Sequence, residues 1–119
     1  MRVEQVDFIT VPTRDVDRAT AFYRDVLGLA PSLHGDREVE TSNVTLSFWN
    51  PESQGEQFAP NVAGFALRVD DVASAVDEVR AAGAEVLGIH DTGVCHMGFV
   101  KDPDGNTVIL HRRYAPRES

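Results

Sequence analysis

The chain carries four histidines, His34, His90, His96 and His111, and a single cysteine, Cys95. Imidazole exchanges protons near neutral pH and is the commonest metal donor. His96 and His111 fall in two apolar, strand-like stretches, residues 94–101 and 107–113. His111 has the parity of Ile109 along its strand, so the two share a face. If His96 shares that face as well, the pair makes either a metal site or an acid–base couple. The face of His96 hangs on the hairpin register, because a slip of one residue turns every strand side chain over. His34, beside Gly35 in a turn, and His90, before Asp91 at a strand end, read as solvated. Cys95 and His96 are consecutive. On a strand they point to opposite faces and cannot act as nucleophile and base. Cys95 reads instead as a small buried apolar residue.

Two other side chains stand out. Trp49 is the only tryptophan; it reads either as core or interface packing or as a stacking wall for a planar ligand. Arg68 has the donor fork that holds an anion, and it serves equally well as a cation that snorkels to water or pairs with a carboxylate.

Composition narrows the partners. The 119 residues carry 11 Lys and Arg against 19 Asp and Glu, a formal net charge of −8. Such a chain has no basic stripe to neutralise phosphates, so nucleic acid is not an expected partner. The local cluster of Arg112, Arg113 and Arg117 reads as solvated charge near the end of the chain. No apolar run is long enough to span a membrane, and residues 1–5 lack the apolar core of a signal peptide. A lone cysteine excludes an internal disulfide and a cysteine metal cage. The expectation is one cytoplasmic domain over residues 1–119.

The elements that position these residues come in two copies. Asp15-Val16-Asp17-Arg18-Ala19 matches Asp71-Val72-Ala73-Ser74-Ala75 at an offset of 56 residues, and the apolar run from Phe8 matches that from Gly64. In each copy a strand (5–12, 62–69) leads to a helix capped by aspartate and closed by glycine, Gly28 or Gly83. Val16, Ala19, Phe22, Tyr23 and Val26 form one apolar helix face, and Val72, Ala75, Val76 and Val79 the other. Residues 29–40 suggest one or two short strands broken at His34-Gly35-Asp36, and residues 44–49 a better one. In the second copy, residues 85–89 make a short strand. Asp102-Pro103-Asp104-Gly105-Asn106 is a tight turn joining the last two strands. The order indicates an α+β domain: a first module at 1–50, a linker at 51–61, a second module at 62–113 and a tail at 114–119.

The segment Ala21-Phe22-Tyr23-Arg24-Asp25-Val26-Leu27-Gly28-Leu29, together with the Asp102–Asn106 turn and the strand after it, resembles the vicinal oxygen chelate superfamily. That group includes glyoxalase I, extradiol dioxygenases and bleomycin and fosfomycin resistance proteins. The resemblance covers nearly the whole chain. It implies two βαβββ modules, one helix each, forming a curved, partly open barrel-like sheet around a cavity, and a homodimer. Metal-dependent members place a ligand at four positions. The resemblance puts these at Phe8, Gly64, Ile109 and, in the first module, Thr45 or Leu46. None is a donor for Zn²⁺, Fe²⁺ or Mn²⁺, so no metal and no cofactor is expected. Metal-free drug-binding members show that the fold survives this loss.

Strand alternation assigns Ile9, Val11, Val44, Leu46, Phe48, Phe65, Leu67, Val69, Val108 and Leu110 to the helix side. The other face then carries Phe8, Thr10, Thr45, Ser47, Trp49, Gly64, Ala66, Arg68, Thr107, Ile109 and His111. Aromatic surface mixed with a few donors suits a small-molecule pocket. The expected function is binding of a small, partly aromatic molecule through Phe8, Thr10, Ser47, Trp49, Arg68, His96, Ile109 and His111. The alternative is a metal-dependent lyase or dioxygenase whose site is relocated to His96 and His111.

Overall fold

A computed structural model describes residues 1–116. The chain divides into two compact units at Pro60/Asn61. Each unit is an α+β module whose four-stranded sheet is mixed and unclosed. In the first, β1 (Phe8–Pro12), β2 (Ala30–Pro31), β3 (Glu38–Glu40) and β4 (Thr45–Trp49) are ordered β1-β4-β3-β2, with β1 parallel to β4. In the second, β5 (Phe65–Arg68), β6 (Val86–Asp91), β7 (Cys95–Lys101) and β8 (Thr107–Arg113) are ordered β5-β8-β7-β6, with β5 parallel to β8. The same order twice is the structural form of the sequence repeat.

The first helix differs from the single α-helix expected up to Gly28. An α-helical part, α1 (Val16–Ala21), passes into a π-helical turn at Phe22–Val26, where the Leu27 N–H reaches back to the Phe22 carbonyl at 3.1 Å. The wider turn lets two consecutive aromatics, Phe22 and Tyr23, both enter the core. Their rings meet edge-on at 5.5 Å, and Tyr23 lies 5.0 Å from Phe48 on β4. Asp15 caps α1 through the Arg18 N–H, and Asp71 caps α2 (Val72–Ala81) through the Ser74 N–H. Val72, Val76 and Val79 are buried, as their spacing requires. They pack on β7, where Gly98 leaves room: a Cβ there would stand 2.5 Å from Val76 Cγ2.

The first strand of each copy is shorter than expected. β5 begins at Phe65 because residues 61–64 are bent. Asn61 accepts the Gly64 N–H on its side chain and the Thr107 N–H on its carbonyl, while its own N–H donates to Asn106 Oδ1 at 2.7 Å. Asn106 in turn donates to Asp102 Oδ2 at 2.8 Å, with both residues buried. The Asp102–Asn106 turn therefore does more than reverse the chain; it holds the entry to β5. Residues 51–61 are also more structured than a linker. A short 3-10 helix, Pro51–Gln54, is followed by buried Phe58, whose ring lies 4.4 Å under the Arg14 guanidinium. Among the described residues, no helix is long and apolar enough to cross a membrane. The expected charge at Arg117 lies outside the described residues.

Candidate functional site

Pairing register decides which side chains share a face. In the first module Phe8, Thr10 and Pro12 stand opposite Thr45, Ser47 and Trp49, while Ile9 and Val11 stand opposite Leu46 and Phe48. Val11, Leu46 and Phe48 are buried under the helix. The other, open face brings together four of the expected site residues, Phe8, Thr10, Ser47 and Trp49. Phe8 is 58 % exposed and Trp49 39 %, so these rings fill no core in the module. Trp49 is the aromatic wall of a concavity of about 650 Å³ that it shares with Pro12, Pro51, Gln54 and Gln57.

Two carboxylates on this face went unnoticed in the sequence. Glu38 and Glu40 of β3 stand opposite Ser47 and Thr45. Thr45 Oγ1 donates to Glu40 Oε2 at 2.7 Å, and Ser32 Oγ to Glu38 Oε2 at 3.4 Å. The alternation Glu38-Val39-Glu40, with Val39 fully buried, is the signal that could have found them. It is only three residues long and sits in a stretch dominated by turn residues.

In the second module, Arg68 stands opposite His111 and Ala66 opposite Ile109. Arg68, Ile109 and His111 therefore share the open face, as expected. His96 does not join them. It pairs with Arg112, while His111 pairs with Met97. His96 lies on the helix side, on the same side of β7 as Gly98. This corrects its placement beside His111 and removes a His96–His111 metal or acid–base pair within the sheet. His96 instead lies 4.6 Å from the Tyr114 ring and 3.5 Å from Asp91 Oδ2. Asp91 accepts the Gly93 N–H and the Tyr114 hydroxyl, and these hold its carboxyl below the usual range, the Gly93 bond contributing most. The same hydrogen bond to Asp91 pushes the Tyr114 phenol up. His90 is exposed, as expected, and its face is now defined. It belongs to β6 and stands opposite Met97 on the open face. The irregularity between Val86 and Gly88 shifts the register by one residue, which period-two reading cannot anticipate.

The four positions that the resemblance gives to ligands in metal-dependent members can now be placed in the two modules. Ile109 faces Ala66, which is 56 residues beyond Thr10, and Thr10 faces Ser47. Ser47 is thus the first-module counterpart of Ile109, rather than Thr45 or Leu46; Leu46 points into the core. The set becomes Phe8, Ser47, Gly64 and Ile109, with no imidazole, carboxylate or thiolate. Gly64 is closed as well as empty-handed. Its φ is +84°, and a Cβ there would meet the Thr107 carbonyl oxygen at 2.8 Å. Among the described residues, no group of three or more His, Cys, Asp and Glu is arranged to hold a metal ion. The donor set does not fit the metal.

A family profile described as the Glyoxalase/Bleomycin resistance protein/Dioxygenase superfamily matches residues 5–110. The chain belongs to that superfamily. A probable lactoylglutathione lyase of Vibrio cholerae is 33 % identical over 114 residues, covering 81 % of each chain. Among solved structures, an antibiotic-binding protein, TnmS3, from Streptomyces sp. CB03234 superposes with a TM-score of 0.73 at 24 % identity, covering 96 % of this chain and 99 % of that one. A lactoylglutathione lyase from Agrobacterium tumefaciens gives the same TM-score, 0.73, at 22 % identity over 92 % of this chain and 94 % of that one. These two structures share the fold.

Proposed function

We propose that the chain binds a small, partly aromatic organic molecule without the metal used elsewhere in its superfamily. The observation that carries this function is the exposure of Phe8 and Trp49 on the open face of the first sheet, beside the hydroxyls of Thr10 and Ser47. Apolar rings held in water gain free energy when a flat ligand covers them, and adjacent hydroxyls orient it. Taken by itself, the second sheet presents apolar surface at Ile109 and donors at Arg68 and His111 on one face. The fold of the antibiotic-binding neighbour is compatible with this role.

The name of the Vibrio relative favours a lyase instead. The set Phe8, Ser47, Gly64 and Ile109 supports the metal-independent function over that alternative. Purified protein is expected to hold no stoichiometric Zn, Fe, Mn or Ni by elemental analysis, and to show no lactoylglutathione lyase activity with or without added metal. About one metal ion per chain would overturn the proposal. For binding itself, aromatic compounds should quench or shift Trp49 fluorescence. Trp49→Ala should weaken them by about 1 kcal/mol. Full affinity in the variant would remove Trp49 from the site and assign it to an interface.

A homodimer is part of the proposal. β1 and β5 are edge strands of their own sheets, and exposed edges beside apolar side chains favour pairing. Sedimentation showing only monomer at micromolar concentration would refute it. Cytoplasmic residence is proposed; a chain with one cysteine, Cys95, needs no oxidising compartment to fold.

A further inference from the structure

We propose that the open face of the second module is a subsite for an organic anion, a carboxylate or phosphate carried on a flat apolar body. This deepens the binding function above and rests on it. Register lays the side chains out in rows across the sheet. One row runs Arg68, His111, Met97, His90; the next runs Ala66, Ile109, Phe99, Gly88. The first is cationic or protonatable at three of its four places, and the second is wholly apolar. Two residues along a strand separate the rows by about 6.8 Å, and adjacent strands lie about 4.8 Å apart. An aromatic ring lying on Ile109 and Phe99 thus brings an attached oxyanion over Arg68 and His111. Ala66 and Gly88 keep the ends of the apolar row low.

Among the described strand positions, no carboxylate opposes the charge on this face. Lys101 and Arg113 lie on the same side, and no strand position there carries Asp or Glu. Lys101 Nζ donates to Thr107 Oγ1 at 2.8 Å, and Arg113 donates to the Ala115 and Pro116 carbonyls, so both are already engaged. Arg68 and His111 make no side-chain hydrogen bond or ion pair among the described residues. The nearest strand carboxylate, Asp91, points to the helix side, where Gly93 and Tyr114 hold it. A basic face on a chain of net charge −8 draws in a small anion but not a polyanion, which the rest of the surface repels. The planar fork of a free arginine matches an oxyanion with two parallel hydrogen bonds.

A matched pair of probes tests this. 2-Naphthoate and 2-naphthamide share the ring system and differ in charge. Each is titrated into full-length protein while backbone amides of β5 and β8 are followed by NMR. Wild type should bind the carboxylate about fivefold tighter or more. Arg68→Gln should erase that preference with its circular dichroism unchanged. Arg112→Gln removes the same charge from the opposite side of β8 and should keep the preference. Equal binding of both probes, or a preference that survives Arg68→Gln, overturns the anion subsite and leaves aromatic binding standing. Failure of both probes to bind also overturns the subsite, and the Trp49 screen then decides the binding function separately.

Discussion

Gly64 is the position where backbone geometry bears most directly on function, and Gly64→Ala isolates its contribution. Two costs combine there. A φ of +84° places any L-residue in the left-handed region, at about 1–2 kcal/mol. The new Cβ would also stand 2.8 Å from the Thr107 carbonyl oxygen and 3.0 Å from Thr107 Cγ2. A methyl side chain can turn aside, but the carbonyl belongs to the backbone of β8. Asn61 and the buried Asp102–Asn106 pair hold that backbone in place. Overpacking against such an obstacle costs about 1–3 kcal/mol more. The total destabilisation is therefore about 2–5 kcal/mol. Gly28→Ala is the control: φ is +76°, with nothing within 4 Å of the added Cβ, so only the conformational cost of about 1–2 kcal/mol applies. Urea denaturation followed by far-UV circular dichroism measures both. If Gly64→Ala falls within about 0.5 kcal/mol of Gly28→Ala, the clash is absent and the position is not closed. By the same geometry, Gly64→His should destabilise the fold at least as much as Gly64→Ala.

Gly98→Ala should cost about 1–3 kcal/mol, because the added Cβ meets Val76 Cγ2 at 2.5 Å. Here the obstacle is a side chain, so Val76→Ala in the same chain should recover part of the loss; simple additivity in a double-mutant cycle would refute the contact. The Tyr114–Asp91 hydrogen bond gives a signed pH prediction. Asp91 is depressed, so its contribution is present above the ordinary carboxylate pKa and is lost as pH falls through its lowered value. Tyr114 is raised, so its contribution is present below the ordinary phenol pKa and is lost as pH rises through its elevated value. Asp91→Asn should bring the Tyr114 phenol down toward the ordinary value in an NMR ring titration; an unmoved midpoint would show that the bond does not form in solution.

Much of this molecule could be read from local chemistry. Asp15 and Asp71 cap helices at the expected places, and Gly28 takes the left-handed conformation that ends the first helix. Val11, Leu46, Phe48, Val108 and Leu110 are buried on the helix side as their alternation required. Capping and amphipathic periodicity act within a turn or a strand, so they survive in a one-dimensional pattern. The repeat at 56 residues was sufficient to foresee two modules of one design. The limits of local reading appear at Phe22–Val26, where packing two adjacent aromatics widened the helix into a π turn. They appear again at residues 51–61, where Pro51 and Phe58 are buried in what looked like a linker.

The faces of His90, His96, Glu38 and Glu40 were decided only by tertiary structure. Each depends on which residue of one strand stands opposite which residue of another, and a shift of one place inverts the answer. The irregularity in β6 made that shift for His90, and the β7–β8 hairpin settled His96 on the helix side. The identity of the absent donors at Phe8, Gly64 and Ile109 belonged to the sequence. That Ser47 completes their set, and that the Thr107 carbonyl bars a side chain at Gly64, belonged to the fold, because strand pairing and backbone approach are relations between distant segments that no single stretch of chain encodes.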